Sequence, residues 1–132
     1  MKAPLIAAAA LTLLTACQPE AAPLTDADLA KEWRVVQLDG KEFAARATLD
    51  LTEPGKAFGQ APCNRWFAGR EGSLPELRFG AAGATRMACP DLDAEAAFLE
   101  ALSRVRQAAL EGDRLVLTGE AGLRMELQPA TP

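Results

Sequence analysis

The chain has no histidine, which removes the commonest catalytic base and a common metal ligand. Serine–histidine and cysteine–histidine catalysis are therefore excluded in their usual forms, as are most zinc sites. Acidic residues number 18, so a hydrolase with paired carboxylates stays open on composition. Asp91 and Asp93, however, stand at the start of a predicted helix, where capping and the helix dipole already account for them. We expect no enzymatic activity, no bound metal and no cofactor.

Aromatic side chains are also scarce, which argues against a roomy ligand-binding barrel. The sequence has five phenylalanines, two tryptophans and no tyrosine, together with many alanines. We expect these residues to form a filled core rather than the large, dry, apolar cavity that a lipocalin-like carrier needs. Binding to a macromolecular partner is therefore the favoured function, and a small-ligand carrier is the alternative.

Positive charge is sparse and dispersed along the sequence. The formal net charge is −4 at pH 7, and no basic cluster interrupts the chain. An acidic protein of this kind is a poor candidate for binding nucleic acid or an anionic lipid surface. Neither partner is expected here.

No hydrophobic run is long enough to cross a bilayer as a helix. The segment Ala3 to Leu14 is apolar apart from Pro4 and Thr12, and it is shorter than the roughly 20 residues that a membrane span requires. It follows a minimal basic start, Met1-Lys2. The pattern predicts a lipoprotein signal peptide over residues 1–16.

The signal segment ends in Leu14-Thr15-Ala16-Cys17, which is the pattern of a bacterial lipobox. Cys17 is predicted to carry a lipid on its sulfur, and several acyl chains would anchor the protein stably. An ordinary secretory signal cut near Ala16 is the alternative. Because Gln18 rather than aspartate follows the cysteine, we expect the protein at the outer membrane, with its domain facing the periplasm.

Three regions follow from this start: the signal peptide, a lipid-anchored tether over residues 17–31, and one domain over residues 32–129. Within the tether, Thr25 and Asp28 have the spacing of a capping box, so either a short helix or no regular structure is expected there.

Short strands dominate the domain. WRVVQL leads into Asp39-Gly40, a dipeptide typical of a tight hairpin. Further strands are predicted over 47–52, 56–62, 74–79 and 85–89, and a final hairpin turns at 119–122. One helix after Pro90 presents Phe98, Leu102 and Val105 on an apolar stripe opposite Glu95, Glu100 and Arg104. The fold class is α+β: a mostly antiparallel, strongly twisted, half-barrel-like meander packed on one main helix.

Four segments together resemble the META domain family of HslJ-like envelope lipoproteins. They occur in the family's order and spacing: WRVVQLDG, GQAPCNRWFAG, TRMACPDLDAEAAFLEAL and GDRLVLTGEAGLRMEL. The family usually has glycine where this chain has Pro62, and often a tyrosine where it has Arg70. The resemblance implies a small envelope protein associated with stress or heat-shock response, with no established enzymatic activity and no known cofactor.

The motif residues have two interpretations. As a binding surface, Arg65 and Trp66 would form a cationic and aromatic anchor. As structure, Asn64 would bond to nearby backbone while Trp66 or Phe67 packs into the sheet, and we favour this second interpretation. Thr85 and Met87 are predicted to face inward on a strand, with Arg86 facing out. The complete set of motif residues is Gly59, Asn64, Arg65, Trp66, Gly69, Thr85, Arg86 and Met87.

The remaining two cysteines are predicted to pair. If Cys17 is lipidated and the protein is exported to an oxidising compartment, only Cys63 and Cys89 are left, with one possible connectivity. Two free buried thiols are the alternative. We expect a structural disulfide.

The function expected is that of a lipid-anchored envelope domain that supports stress tolerance by binding an envelope protein or polymer. A small-ligand carrier and a periplasmic inhibitor of a hydrolase are alternatives. The oligomeric state does not follow from the sequence.

Overall fold

The structure is a computed structural model that describes residues 2–4, 9–10, 13 and 22–130. The predicted lipidation site Cys17 and most of the predicted signal peptide lie outside these residues. Within the described part, no helix is long and apolar enough to cross a membrane.

The described chain contains two α-helices, ten strands and a short 3₁₀ helix at Glu120–Gly122. The helices are α1 (Asp26–Leu29) and α2 (Leu92–Arg104). The strands are β1 (Glu32–Leu38), β2 (Lys41–Glu42), β3 (Thr48–Asp50), β4 (Lys56–Gln60), β5 (Arg65–Glu71), β6 (Arg78–Phe79), β7 (Gly83–Ala84), β8 (Val105–Glu111), β9 (Arg114–Gly119) and β10 (Arg124–Pro129).

The strands form one antiparallel sheet that curls into a nearly closed barrel. The order of the neighbouring strands is β6-β5-β4-β3-β1-β10-β9-β8, with β2 beside β1 and β7 beside β5. The two ends of this order meet again just before β6. There the amide of Leu77 donates to the carbonyl of Arg106 at 3.0 Å, and the amide of Ala108 donates to the carbonyl of Pro75 at 2.9 Å. The predicted α+β class with an antiparallel meander and one main helix is confirmed.

The barrel interior is filled by side chains from the sheet and from α2. Trp33, Trp66 and Phe98 are the largest of the fully buried side chains. Phe98 of α2 packs edge-on against Trp66, with the ring centroids 5.7 Å apart. Aromatic pairs of this geometry contribute beyond their buried area, so they help to fix the helix on the sheet.

Local sequence signals account for several turns. Asp39 and Gly40 both have positive φ, 49° and 79°, as a two-residue hairpin of this type requires. In the last hairpin, Leu115, Leu117 and Met125 are buried as the alternation predicts.

The capping box at α1 is present as well. The amide and hydroxyl of Thr25 both donate to the carboxylate of Asp28, at 2.8 and 2.7 Å. These hydrogen bonds hold the pKa of Asp28 below its ordinary value.

Three sequence predictions about local structure were wrong. Of the strand predicted over 74–79, only Arg78–Phe79 is a strand, because Leu74 and Pro75 lie in a turn. Residues 85–89 do not form a strand; the short strand β7 ends at Ala84. Glu95 does not lie on the solvent side of α2; it is only 6% exposed. The physical reason for the errors at residues 85–89 and at Glu95 is a cluster of hydrogen bonds around Asn64, described below.

Candidate functional site

The two cysteine-containing segments of the sequence motif lie against each other. Cys63 and Cys89 form the predicted disulfide, with their Cα atoms 5.7 Å apart. Next to it, the amide of Thr85 donates to the carbonyl of Arg65 at 3.0 Å, and the amide of Arg65 donates to the Thr85 hydroxyl at 3.2 Å. The turn before β5 is therefore joined covalently and by hydrogen bonds to the segment before α2.

Asn64 is buried at the centre of this junction and uses both ends of its side-chain amide. Its Oδ1 accepts from the amide of Met87 at 2.6 Å and from the Thr85 hydroxyl at 3.1 Å. Its Nδ2 donates to the carbonyl of Met87 at 3.1 Å and to Glu95 at 2.7 Å. Asn64 thus bonds to backbone, as the structural interpretation expects. The backbone that it binds, however, lies 23 residues away in the sequence and not nearby.

Glu95 completes the junction from the first turns of α2. Its Oε1 accepts from the amides of Cys63 and Asn64, at 3.0 and 2.7 Å, while its Oε2 accepts from Asn64 Nδ2. A buried carboxylate is costly unless it is hydrogen-bonded in this way. Sequence reasoning missed Glu95, although it precedes Phe98 by three residues and Leu102 by seven, which is the spacing of the buried side of the helix. We name Cys63, Asn64, Thr85, Met87, Cys89 and Glu95 the Asn64 junction.

The same hydrogen bonds explain why Thr85 and Met87 are not inward strand residues. Asn64 binds both the amide and the carbonyl of Met87, so this backbone follows the Asn64 side chain instead of a neighbouring strand. As a result Thr85 is exposed, and the Met87 side chain is 68% exposed. Arg86 is exposed, as predicted.

Trp66 and Gly59 form a second structural contact. Trp66 is buried, and its Nε1 donates to the carbonyl of Thr48 at 2.9 Å. Gly59 lies opposite Trp66 in the β4–β5 pair, and a Cβ atom at Gly59 would collide with the Thr48 carbonyl. Glycine is therefore required at position 59 for close approach of β3 and β4. Gly69 has open space around it, so no such constraint applies there.

The outward-facing residues of β5 line a surface groove of about 540 Å³. Because side chains alternate along a strand, Arg65 and Phe67 point out where Trp66 points in. Phe67 is 62% exposed and lies directly opposite Phe58 of β4. The residues that line the groove are Glu32, Arg46, Thr48, Phe58, Gly59, Gln60, Arg65, Trp66 and Phe67. We name this feature the outer groove.

A smaller hollow of about 200 Å³ extends the outer groove across β1. It shares Glu32, Arg46 and Thr48 with the groove and adds Arg34 and Ala130. Within the described part of the chain, Arg34, Arg46 and Arg65 form no ion pair, whereas the arginines that do are Arg70, Arg104, Arg106, Arg114 and Arg124. The fold thus gathers three arginines from separate segments of an acidic chain, which the sequence did not reveal.

A third hollow, of about 410 Å³, lies at the other end of the β4–β5 hairpin. There the largely buried guanidinium of Arg70 pairs with Asp26 of α1. This contact ties the short helix to the barrel, and it involves the residue that replaces the tyrosine often found in the family the sequence resembles.

Among the described residues, no three side chains of the histidine, cysteine, aspartate or glutamate types come together as metal ligands.

Comparisons with known proteins identify the family. The model of the META domain matches residues 24–132. An NMR structure of a protein from Burkholderia xenovorans is similar, with a TM-score of 0.65 and 25% identity over 91% of this chain and 100% of that one. A second NMR structure has a TM-score of 0.60 and 19% identity over 78% of this chain and 93% of that one, and it supports the fold alone. No curated protein sequence matches. Because the family model spans most of the sequence, the chain belongs to the META domain family.

Proposed function

We propose that the protein is a non-enzymatic, lipid-anchored binding domain of the bacterial envelope, which supports stress tolerance by holding an envelope partner. The observation that carries the proposal is the outer groove. It combines an exposed aromatic ring, Phe67, with arginines that have no acidic partner among the described residues. Aromatic and arginine side chains are the ones that concentrate binding energy at protein interfaces.

The filled barrel supports a surface binder over an internal carrier. Trp33, Trp66 and Phe98 occupy the interior, and the outer groove is instead open to the outside of the sheet.

The anchor part of the proposal predicts the behaviour of Cys17→Ser. Removing the sulfur that accepts the lipid is expected to abolish membrane association and to slow processing of the signal peptide, because acyl chains supply the membrane affinity. Fractionation of cells, with mass spectrometry of the mature N-terminus, measures both effects. An unmodified Ala, Cys or Gln terminus in the wild-type protein would contradict the lipoprotein assignment.

The binding part predicts a site-specific adduct. A photo-crosslinking amino acid in place of Phe67 is expected to capture a discrete partner in intact envelopes, since this exposed side chain lies in the outer groove. The same group in place of Lys41, which is exposed on β2 outside the groove, is the control. Equal adducts from both positions, or none from Phe67, would count against a partner at this surface.

A further inference from the structure

We infer that the outer groove binds an extended acidic peptide segment of a protein partner, in which carboxylates flank an apolar side chain. This inference rests on the proposed function and names the chemistry of the partner. Three features of the groove and its edge carry it: the positions of Arg34 and Arg65, the phenylalanine pair Phe58 and Phe67, and two acids in the same row as that pair.

The arginines stand at the two ends of a row that crosses the strands. Arg34 of β1 is opposite Thr48 of β3, whose hydroxyl accepts from the amide of Gln60 at 2.9 Å. Gln60 of β4 is in turn opposite Arg65 of β5. Three strand spacings separate Arg34 from Arg65, or about 14 Å, and an extended peptide of four or five residues covers that distance. Arginine binds carboxylates through two parallel N–H donors, so each end of the row suits one acidic side chain.

The next row along the strands is apolar at one end and acidic at the other. Phe58 and Phe67 are direct neighbours across β4 and β5. Gly83 of β7 lies opposite Phe67 on its other side, and the ring of Phe67 rests over this glycine. Contact with the glycine backbone fixes one side of the ring, while the rest of the side chain remains exposed. The pair therefore offers a preformed apolar platform.

At the other end of this row, Glu32 of β1 is opposite Asp50 of β3. A uniformly charged anionic polymer laid over the groove would place negative charge against Glu32 in the groove, against Asp50 beside it and against the phenylalanine rings. A peptide can instead place its acids only at the arginines, Arg34, Arg46 and Arg65, and an apolar side chain over the rings. The charge pattern therefore favours a peptide over a polyanionic glycan.

Selection from a random nine-residue peptide library tests this inference, with the full mature lipoprotein in detergent as bait. Enriched peptides are expected to carry Asp or Glu on both sides of a large apolar residue, and their binding should weaken with added salt. Arg65→Glu is expected to lower their affinity at least about tenfold, and Phe67→Ala by a similar factor. Arg78→Glu makes the same charge change at an exposed residue outside the groove and should leave affinity unchanged.

Several outcomes would overturn the inference. These are no enriched peptide, enriched peptides without acids, equal loss in Arg65→Glu and Arg78→Glu, or saturable binding of polygalacturonate with no peptide binding. Circular dichroism confirms that each variant is folded before affinities are compared. Crosslinking at Phe67 in intact envelopes, combined with any of these results, would leave the proposed function standing and remove only the acidic-peptide assignment.

Discussion

Replacing both Cys63 and Cys89 with alanine is expected to lower the free energy of unfolding by about 3 to 4 kcal/mol. The disulfide joins residues 26 positions apart, so its loss frees a long loop in the unfolded chain. A domain of this size has only about 5 to 15 kcal/mol in total. Urea unfolding of the mature protein without reductant, followed by tryptophan fluorescence, measures the difference between wild type and the double variant.

Chemical reduction of the wild-type protein provides the control for this experiment. Reduction should produce nearly the same loss of stability as the double substitution, because both remove the same covalent link. Equal urea midpoints for oxidised wild type and the double variant would contradict a stabilising disulfide. So would a titration that finds two free thiols in the oxidised protein, either folded or after unfolding.

The parts of the fold that the sequence predicted are those set by neighbouring residues. The Asp39-Gly40 hairpin follows from two positions that tolerate positive φ, and the α1 cap from a threonine and an aspartate three residues apart. In the last hairpin, alternation alone assigns the buried side of β10, with Met125 and Leu127 inside. In each case the signal and the structure span fewer than about a dozen residues, so little depends on the rest of the chain.

The parts that the sequence did not predict depend on distant partners. The outer groove joins Arg34, Arg46 and Arg65, which only the strand order brings to one surface. Met87 alternates with its neighbours as a strand residue would, yet its backbone is bound by an asparagine 23 residues earlier. The pattern of residues 85–89 alone does not indicate that contact. The tertiary hydrogen bonds therefore override the strand propensity of this segment.

Among the residues with distant partners, Glu95 makes the contacts that matter most for the fold. A charged side chain in a helix is ordinarily assigned to the solvent side, and Glu95 lies instead on the side of Phe98 and Leu102. Its hydrogen-bond partners, Cys63 and Asn64, are more than 30 residues away in sequence. The carboxylate thereby links the first turns of α2 to the turn that starts β5, on the strand that carries Arg65 and Phe67.

Glu95→Ala is expected to lower the free energy of unfolding by at least about 3 kcal/mol, because three donors lose their acceptor and each such loss costs about 1 to 3 kcal/mol. The amides of Cys63 and Asn64 and the Nδ2 of Asn64 all lose an acceptor. Glu95→Gln should cost less, about 1 to 2 kcal/mol, since its oxygen still serves the two amides while its NH₂ group faces Asn64 Nδ2.

Asp93→Ala is the matched control for Glu95→Ala, because Asp93 is exposed in the first turn of the same helix. It removes a negative charge close to the helix N-terminus and should cost no more than about 1 kcal/mol. Urea unfolding of the three variants beside wild type gives the comparison. If Glu95 acts through its hydrogen bonds, Glu95→Ala is expected to be the least stable variant, Glu95→Gln intermediate and Asp93→Ala the most stable. Equal stabilities for Glu95→Ala and Asp93→Ala would contradict this prediction. Glu95 would then contribute only as a negative charge near the helix N-terminus, and its hydrogen bonds to the Asn64 junction would add no stability.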